Sequence, residues 1–190
     1  LEVGCGIGNM TPFFLGAESM TCIDVLPESV AVVRKQFADY PQLRALVVDI
    51  AEPASVQQLG AAAYDTVVCI NVLEHIERDA DALRHIYEVL APGGKLLLFV
   101  PAGQYLYGHL DEALGHYRRY ALGPLRALVQ RQGFDVIESY YMNVAGIPGW
   151  FLSSRILRQE APPRGFLWLF NVLTPVFVWF EEKFRPPFGQ

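Results

Sequence analysis

The 190-residue sequence predicts a single α/β domain: a doubly wound parallel sheet with helices on both faces, followed by a helical, aromatic-rich C-terminal insertion. Three observations predict it. Short β-rich runs alternate with stretches whose apolar residues recur three and four apart. Glycines crowd the turn after the first run. Acidic or amide residues stand at the ends of four successive runs. The expected division is a core over residues 1–141 and an extension of the same domain over 142–190. A composition of 52% hydrophobic and 18% charged residues is that of a packed globular chain, neither disordered nor fibrous.

Taken in order, "LEV" at the start, "MTCIDV" over 20–25, "RALVVDI" over 44–50, "YDTVVCIN" over 64–71 and "GKLLLFV" over 94–100 read as strands. Helical spacing covers 27–40 and 77–90. The first of these opens with Pro27 and Glu28, where a missing N–H and the helix dipole favour them. The second closes at "APGG", a glycine stop before the next strand. A long polar-aromatic loop follows over 101–120, then a helix over 123–132 and a sixth strand, "FDVIESYYM", over 134–142. Loops this long within a domain are usually functional. The stretch over 165–184 is densely apolar but broken by Asn171 and Pro175, so it is too short to span a membrane. No seventh strand follows, since "PVFVWF" over 175–180 sits in a helix-length run. That gap, and a start inside a strand without methionine, make a fragment lacking both termini the expectation.

The formal charge of −5 is scattered, with no Lys or Arg run to track a phosphate backbone, so nucleic acid is not expected as a partner. Cys5, Cys22 and Cys69 lack the spacing of a metal site; no metal is expected, and free thiols of a reducing cytoplasm are.

Glycines let a ligand approach the backbone, and the helix terminus that such a loop feeds offers unpaired N–H groups. The dinucleotide fingerprint G-x-G-x-x-G requires glycine at position 9; here Gly4, Gly6 and Gly8 are followed by Asn9. Glu2-x-Gly4-x-Gly6-x-Gly8 instead resembles the first motif of the class I S-adenosylmethionine-dependent methyltransferases, which have a Rossmann-like sheet. Asp24 at the second strand end, Asp49-Ile50 at the third, "CINVLEHIERD" over 69–79 and "LAPGGKLLLFVP" over 90–101 agree with it across about the first hundred residues.

The resemblance implies S-adenosylmethionine as cofactor, with S-adenosylhomocysteine as product. It implies that Glu2, Gly4, Gly6, Gly8, Asp24, Val25, Asp49, Ile50, Asn71, Val72 and His75 line its site. Asp24 would accept from the ribose hydroxyls, Asp49 would meet the adenine amino group beside Ile50, and Asn71 and Val72 would line the methionine end. Glu2 and Asp24 also suit the plainer task of capping a helix or turn, and Asp49 that of a turn residue. What favours a site is that the carboxyl ends of parallel strands share one crevice.

The acceptor side falls to the 101–120 loop: Tyr105, Tyr107, His109, Asp111, His116, Arg118, Arg119 and Tyr120. His116 is the first choice as base or acceptor ligand and His109 the second, with Tyr105, Tyr107, Arg118 and Tyr120 as substrate contacts. The alternative is a hydrogen-bonded lid scaffold of His116, Arg118 and Tyr120. "DEALGHYRRY" over 111–120 resembles a segment of a bacterial subset of these enzymes. The expected acceptor is a small or lipid-linked molecule, and the expected location is the cytoplasm, with peripheral membrane contact through 166–180. Core packing or an oligomer interface would explain those aromatics equally. Two other functions remain open: a cofactor-binding module without turnover, and a nicotinamide-dependent oxidoreductase or epimerase, whose Tyr-x-x-x-Lys pair is missing.

Overall fold

The β-branched and leucine-rich runs of the first hundred residues pair side by side in parallel. The structure is a computed structural model that describes residues 1–157 and, beyond them, 172, 174, 175, 177, 179, 181, 183, 184 and 186–189. Its contacts divide the chain into two units, Leu1–Phe99 and Val100–Gln190.

In the first unit, β1 (Glu2–Val3), β2 (Met20–Asp24), β3 (Leu43–Val47), β4 (Tyr64–Ile70) and β5 (Leu90–Phe99) form one sheet in the order β3-β2-β1-β4-β5. Val3 lies opposite Ile23 on one side and Cys69 on the other. The chain winds outward from β1 through β2 to β3, then returns to β4 and winds the other way to β5. Parallel crossovers are right-handed, so α1 (Pro27–Gln36) and α3 (Asp79–Val89) cover opposite faces. The short α2 (Pro53–Val56) lies between β3 and β4. Cys5, Met20, Cys22, Val30, Val33, Phe37 and Ala45 close the core under α1, with Phe14, Leu15 and Leu43 packed against it. Helix α1 begins at Pro27 with Glu28 in its first turn and ends on Arg34 and Lys35, as its dipole favours.

Three expectations for this unit change. The glycine loop feeds one 3₁₀ turn, Thr11–Phe14, instead of an α-helix; Pro12 starts it, and Gly16 and β2 follow too soon for more turns. Strand β3 stops at Val47, so Asp49 stands in the turn beyond the strand. Strand β5 starts at Leu90, not 94: Tyr64 pairs with Leu90 and Thr66 with Lys95, so "APGG" is a bulge within the strand, turned at Gly93 with φ +78°. The helix before it ends by the Leu90 N–H donating to Ile86, without a glycine cap.

In the second unit the 101–120 loop is closed at its neck. The Gly103 N–H donates to the Tyr120 carbonyl (2.9 Å) and the Tyr120 N–H to that of Pro101 (2.9 Å). The loop holds α4 (His109–Ala113); α5 (Leu122–Arg131) and α6 (Gly146–Phe151) follow, and α6 runs into a π-helical turn, Leu152–Ile156, that packs on α4. The sixth strand expected over 134–142 does not form. Its alternation is present, but a ladder needs a neighbouring strand and the described residues of this unit provide none; the Tyr141 hydroxyl instead accepts the Leu122 N–H at the start of α5 (2.9 Å). Most of 166–180 lies outside the described residues, while 172, 174, 175, 177 and 179 are helical. No helix among the described residues is long and apolar enough to cross a membrane.

Candidate functional site

Strand order reverses between β1 and β4, which is where a doubly wound sheet opens a crevice. A cleft of about 320 Å³ sits there, lined by Glu2, Val3, Gly4, Cys5, Gly6, Asn9, Met10, Val68, Ile70 and Asn71. Four residues expected from sequence, Glu2, Gly4, Gly6 and Asn71, thus share one cavity.

The three glycines do different work. All have positive φ (+70°, +51° and +90°), which costs a side chain roughly 1–2 kcal/mol. A Cβ on Gly4 would stand 2.3 Å from Val72 Cγ2, so glycine lets the β4 loop close against the β1 loop. A Cβ on Gly6 would meet nothing within 4 Å, which leaves that backbone bare to the cleft. A Cβ on Gly8 would strike Phe37 at 2.8 Å. Gly8 therefore seats the loop on α1 and is absent from the cleft lining.

Glu2 is 5% exposed, and its Oε2 accepts from the Thr11 hydroxyl (2.7 Å) and the Cys22 thiol (3.4 Å). Burial pushes its carboxyl above the ordinary range, against the pull of those two hydrogen bonds. Asp24 ties the loop to the second strand: Oδ2 accepts the Gly6 N–H (2.8 Å) and Oδ1 the Leu26 N–H (3.0 Å). It caps a turn, then, and its two oxygens keep lone pairs for further donors. Val25 beside it is exposed. The Val48 N–H donates to the Asp24 carbonyl (3.1 Å), which holds the turn bearing Asp49 and Ile50 beside β2. The Asp49 N–H donates to Ser55 (3.0 Å), its Oδ1 accepts the Ala51 N–H (2.8 Å), and Ile50 is buried. At the end of β4, Asn71 adopts φ +52° while its N–H donates to the Phe99 carbonyl (2.9 Å). His75 is exposed in a 3₁₀ turn, Leu73–His75.

Sequence reasoning missed Asn9, Met10, Val68 and Ile70 on the cleft, although all adjoin motif residues. It also missed Thr11, which sets Glu2, and His85. His85 sits buried on α3 with Nδ1 donating to the Ile50 carbonyl (2.8 Å) and Nε2 facing Arg84 (3.1 Å). Burial pushes the thiols of Cys5, Cys22 and Cys69 upward, to about 12 for Cys5 and Cys69, so none is a nucleophile at neutral pH.

In the second unit, Asp111 is fully buried at the centre of the loop. Its Oδ1 accepts from Arg119 Nε (2.7 Å) and His116 Nδ1 (2.9 Å), and its Oδ2 from the Gly108 N–H (3.1 Å) and Trp150 Nε1 (3.4 Å). Burial alone would raise its carboxyl, but the bonds from His116 and then Arg119, with the guanidinium charge and the Gly108 N–H, hold it below the ordinary range. Arg119 is buried, donates to the Ala102 carbonyl (3.1 Å) and stacks 4.4 Å from the Trp150 ring centre. The Tyr107 hydroxyl donates to the His116 carbonyl (2.7 Å), and burial raises the Tyr107 phenol. Tyr120 is buried at the loop neck, Tyr105 is exposed, and Arg118 lies 6.0 Å from the Tyr117 ring centre. His109 is solvated beside Glu112 (3.8 Å). Of the two candidate bases, only His116 is thus fixed by a carboxylate, and of the two arginines it is Arg119 that turns inward.

A bare glycine backbone, one carboxylate, Glu2, and two amides, Asn9 and Asn71, line the cleft, and Asp24 is tied to it through the Gly6 N–H. Residues 1–96 match the methyltransferase domain family. A ubiquinone biosynthesis O-methyltransferase of Xanthomonas euvesicatoria pv. vesicatoria (strain 85-10) is 36% identical over 100 residues, 52% of this chain and 41% of that protein. A tRNA N(3)-methylcytidine methyltransferase of Schizosaccharomyces pombe (strain 972 / ATCC 24843) is 34% identical over 104 residues, 51% of this chain and 42% of its own. The chain thus spans about four tenths of the length of these relatives. Among solved structures, the methyltransferase CalH in complex with S-adenosylhomocysteine shares the fold at a TM-score of 0.55 and 22% identity, over 70% of this chain and 43% of that one. The parallel sheet, the cleft at its switch point and the family match agree: this chain belongs to the class I methyltransferase-domain family, whose cofactor is S-adenosylmethionine.

Proposed function

We propose that this chain is the core of an S-adenosylmethionine-dependent methyltransferase that acts on a small-molecule or lipid-linked acceptor. The observation that carries the proposal is the cleft between β1 and β4, floored by the bare backbone of Gly6, walled by Glu2 and Asn71, and stitched at its rim to Asp24. The cofactor supplies a methyl group already activated on a sulfonium sulfur, so the protein's task is placement and proton handling.

Glu2 sets a negative charge beside the amino-acid portion, Oε2 being held by Thr11 and Cys22 while Oε1 carries neither bond. Asp24 accepts from the ribose hydroxyls with lone pairs left over from Gly6 and Leu26. Asp49, beside Ile50, meets the adenine. His116 takes the acceptor's proton, with Tyr105, Tyr107, Arg118 and Tyr120 around the acceptor. A lipid-linked acceptor is supported by the relative that acts in ubiquinone biosynthesis and by exposed Phe151, Leu152, Ile156 and Trp179 in the second unit. A cytoplasmic protein with peripheral membrane contact fits those side chains.

A second reading, a nucleic-acid acceptor, is favoured by the tRNA-methylating relative and opposed by the net charge of −5.

Calorimetric titration with S-adenosylhomocysteine and with NAD tests the cofactor. Binding of the former alone is expected, and Asp24→Ala should weaken it by roughly 1–3 kcal/mol. Binding of NAD alone refutes the proposal. Methyl-labelled S-adenosylmethionine incubated with a cell extract tests the acceptor: label should enter the lipid or small-molecule fraction, and label released only by ribonuclease would establish the second reading.

A further inference from the structure

His85 is buried on α3 between two partners of fixed polarity. Its Nδ1 lies 2.8 Å from the Ile50 carbonyl, which can only accept. Its Nε2 lies 3.1 Å from Nη2 of Arg84, which can only donate. Both neighbours therefore demand the same neutral ring, with its proton on Nδ1 and a lone pair on Nε2. Arg84 is half-exposed and is itself steadied along the helix by Asp81 (3.3 Å) and Glu88 (3.1 Å).

What the ring holds is one peptide plane. The Ile50 carbonyl and the Ala51 N–H belong to the same trans peptide unit and point opposite ways. The carbonyl meets His85, and the N–H donates to Asp49 Oδ1 (2.8 Å). His85 thus sets the plane that grips the Asp49 carboxylate. Three further bonds fix the turn: the Val48 N–H donates to the Asp24 carbonyl (3.1 Å), the Asp49 N–H to Ser55 Oγ (3.0 Å) and the Glu52 N–H to the Asp49 carbonyl (3.1 Å). Asp49 Oδ2 and the Ile50 N–H take part in none of these bonds, which leaves an acceptor and a donor on adjacent residues. An adenine edge offers the matching pair, a donor amino group beside an acceptor ring nitrogen.

We infer that His85 is a positioning residue for base selection: by fixing the Ile50–Ala51 peptide, it holds Asp49 Oδ2 and the Ile50 N–H in the register that accepts an adenine and rejects its 6-oxo counterpart. This rests on the methyltransferase reading above, in which Asp49 and Ile50 meet the adenine. In a 6-oxopurine the amino group is replaced by a carbonyl and the ring nitrogen carries a proton. Acceptor then faces acceptor, and donor faces donor. A carboxylate free to swing would take that ring N–H instead; one gripped through its Oδ1 does not.

Calorimetric titration of the intact protein with S-adenosylhomocysteine and with S-inosylhomocysteine, its 6-oxo analogue, reads the selection. Wild type should prefer the adenine compound by roughly a hundredfold. His85→Leu should lower that ratio to about tenfold or less, and His85→Asn, whose Nδ2 can donate from the place of Nδ1, should restore most of it. A general loss of stability would weaken both compounds alike and leave the ratio unmoved. A folded His85→Leu that keeps the wild-type ratio overturns the proposal.

Long-range proton–nitrogen NMR of wild type labelled at histidine nitrogens supplies a readout that needs no variant. His85 should be protonated on Nδ1 and bare on Nε2, and any other state overturns the proposal whether or not His85→Leu folds. Wild type that binds both compounds equally overturns the selection alone. Wild type that binds neither removes the methyltransferase reading itself.

Discussion

Glu2 shows how a residue proposed to bind the cofactor works against the fold that carries it. Its carboxyl is raised chiefly by burial, so the native state holds its proton more tightly than the unfolded chain does, and its contribution to stability declines as pH rises through the raised value. Glu2→Gln keeps an oxygen acceptor for Thr11 and removes the buried charge. The variant should melt roughly 2–4 °C above wild type at about pH 8, with the gap closing toward about pH 5. The same variant should bind S-adenosylhomocysteine about tenfold more weakly. Thermal denaturation beside calorimetry checks both signs. Glu2 and the glycines were legible because their motif is local, within eight residues of the start. The separate duty of Gly8 was not, since its neighbour Phe37 arrives only through the packing of α1. Nor was the Asp111 network, whose Trp150 lies 39 residues away.

At the scale of elements, strands and helices were readable wherever periodicity was backed by a complete layer. Strands β2 and β4 have neighbours on both sides, and their expected spans hold to within a residue. The 134–142 segment alternates just as clearly, yet period two describes only a face, and a strand also needs a partner. "APGG" reads as a helix stop because nothing local distinguishes a glycine cap from a bulge. Helix α3 has a task no motif announces: His85 reaches from it to the Ile50 carbonyl, pinning the turn that bears Asp49. His85→Phe leaves that carbonyl without its partner, so the protein should lose about 1–3 kcal/mol in denaturant unfolding. S-adenosylhomocysteine should bind more weakly for the same reason, whereas the Arg119-centred loop should be untouched.

Across the whole molecule, two buried carboxylates of opposite shift give the units opposite responses to acid. Asp111 is held below the ordinary range, so its contribution to the second unit is present above about pH 4 and is lost as pH falls through its folded value. Glu2 in the first unit is raised, and acid relieves it. All three tryptophans, Trp150, Trp168 and Trp179, fall beyond residue 100, so their fluorescence reports on the second unit alone. On acidification the tryptophan signal should change at higher pH than far-ultraviolet dichroism, much of which comes from the sheet unit. Coincident transitions would contradict the assignment.

The place of β1 at the centre of its sheet also governs the order in which the fold can be assembled on the ribosome. β1 precedes every other strand in the chain, yet one of its two neighbours, β4, begins only at Tyr64. At translation speeds of about 5–20 residues per second, the middle strand waits several seconds with one edge open. A hairpin sheet could close as it emerges. This one is committed to late, long-range pairing, and a nascent chain halted before Ile70 holds its most central strand with one edge unpaired.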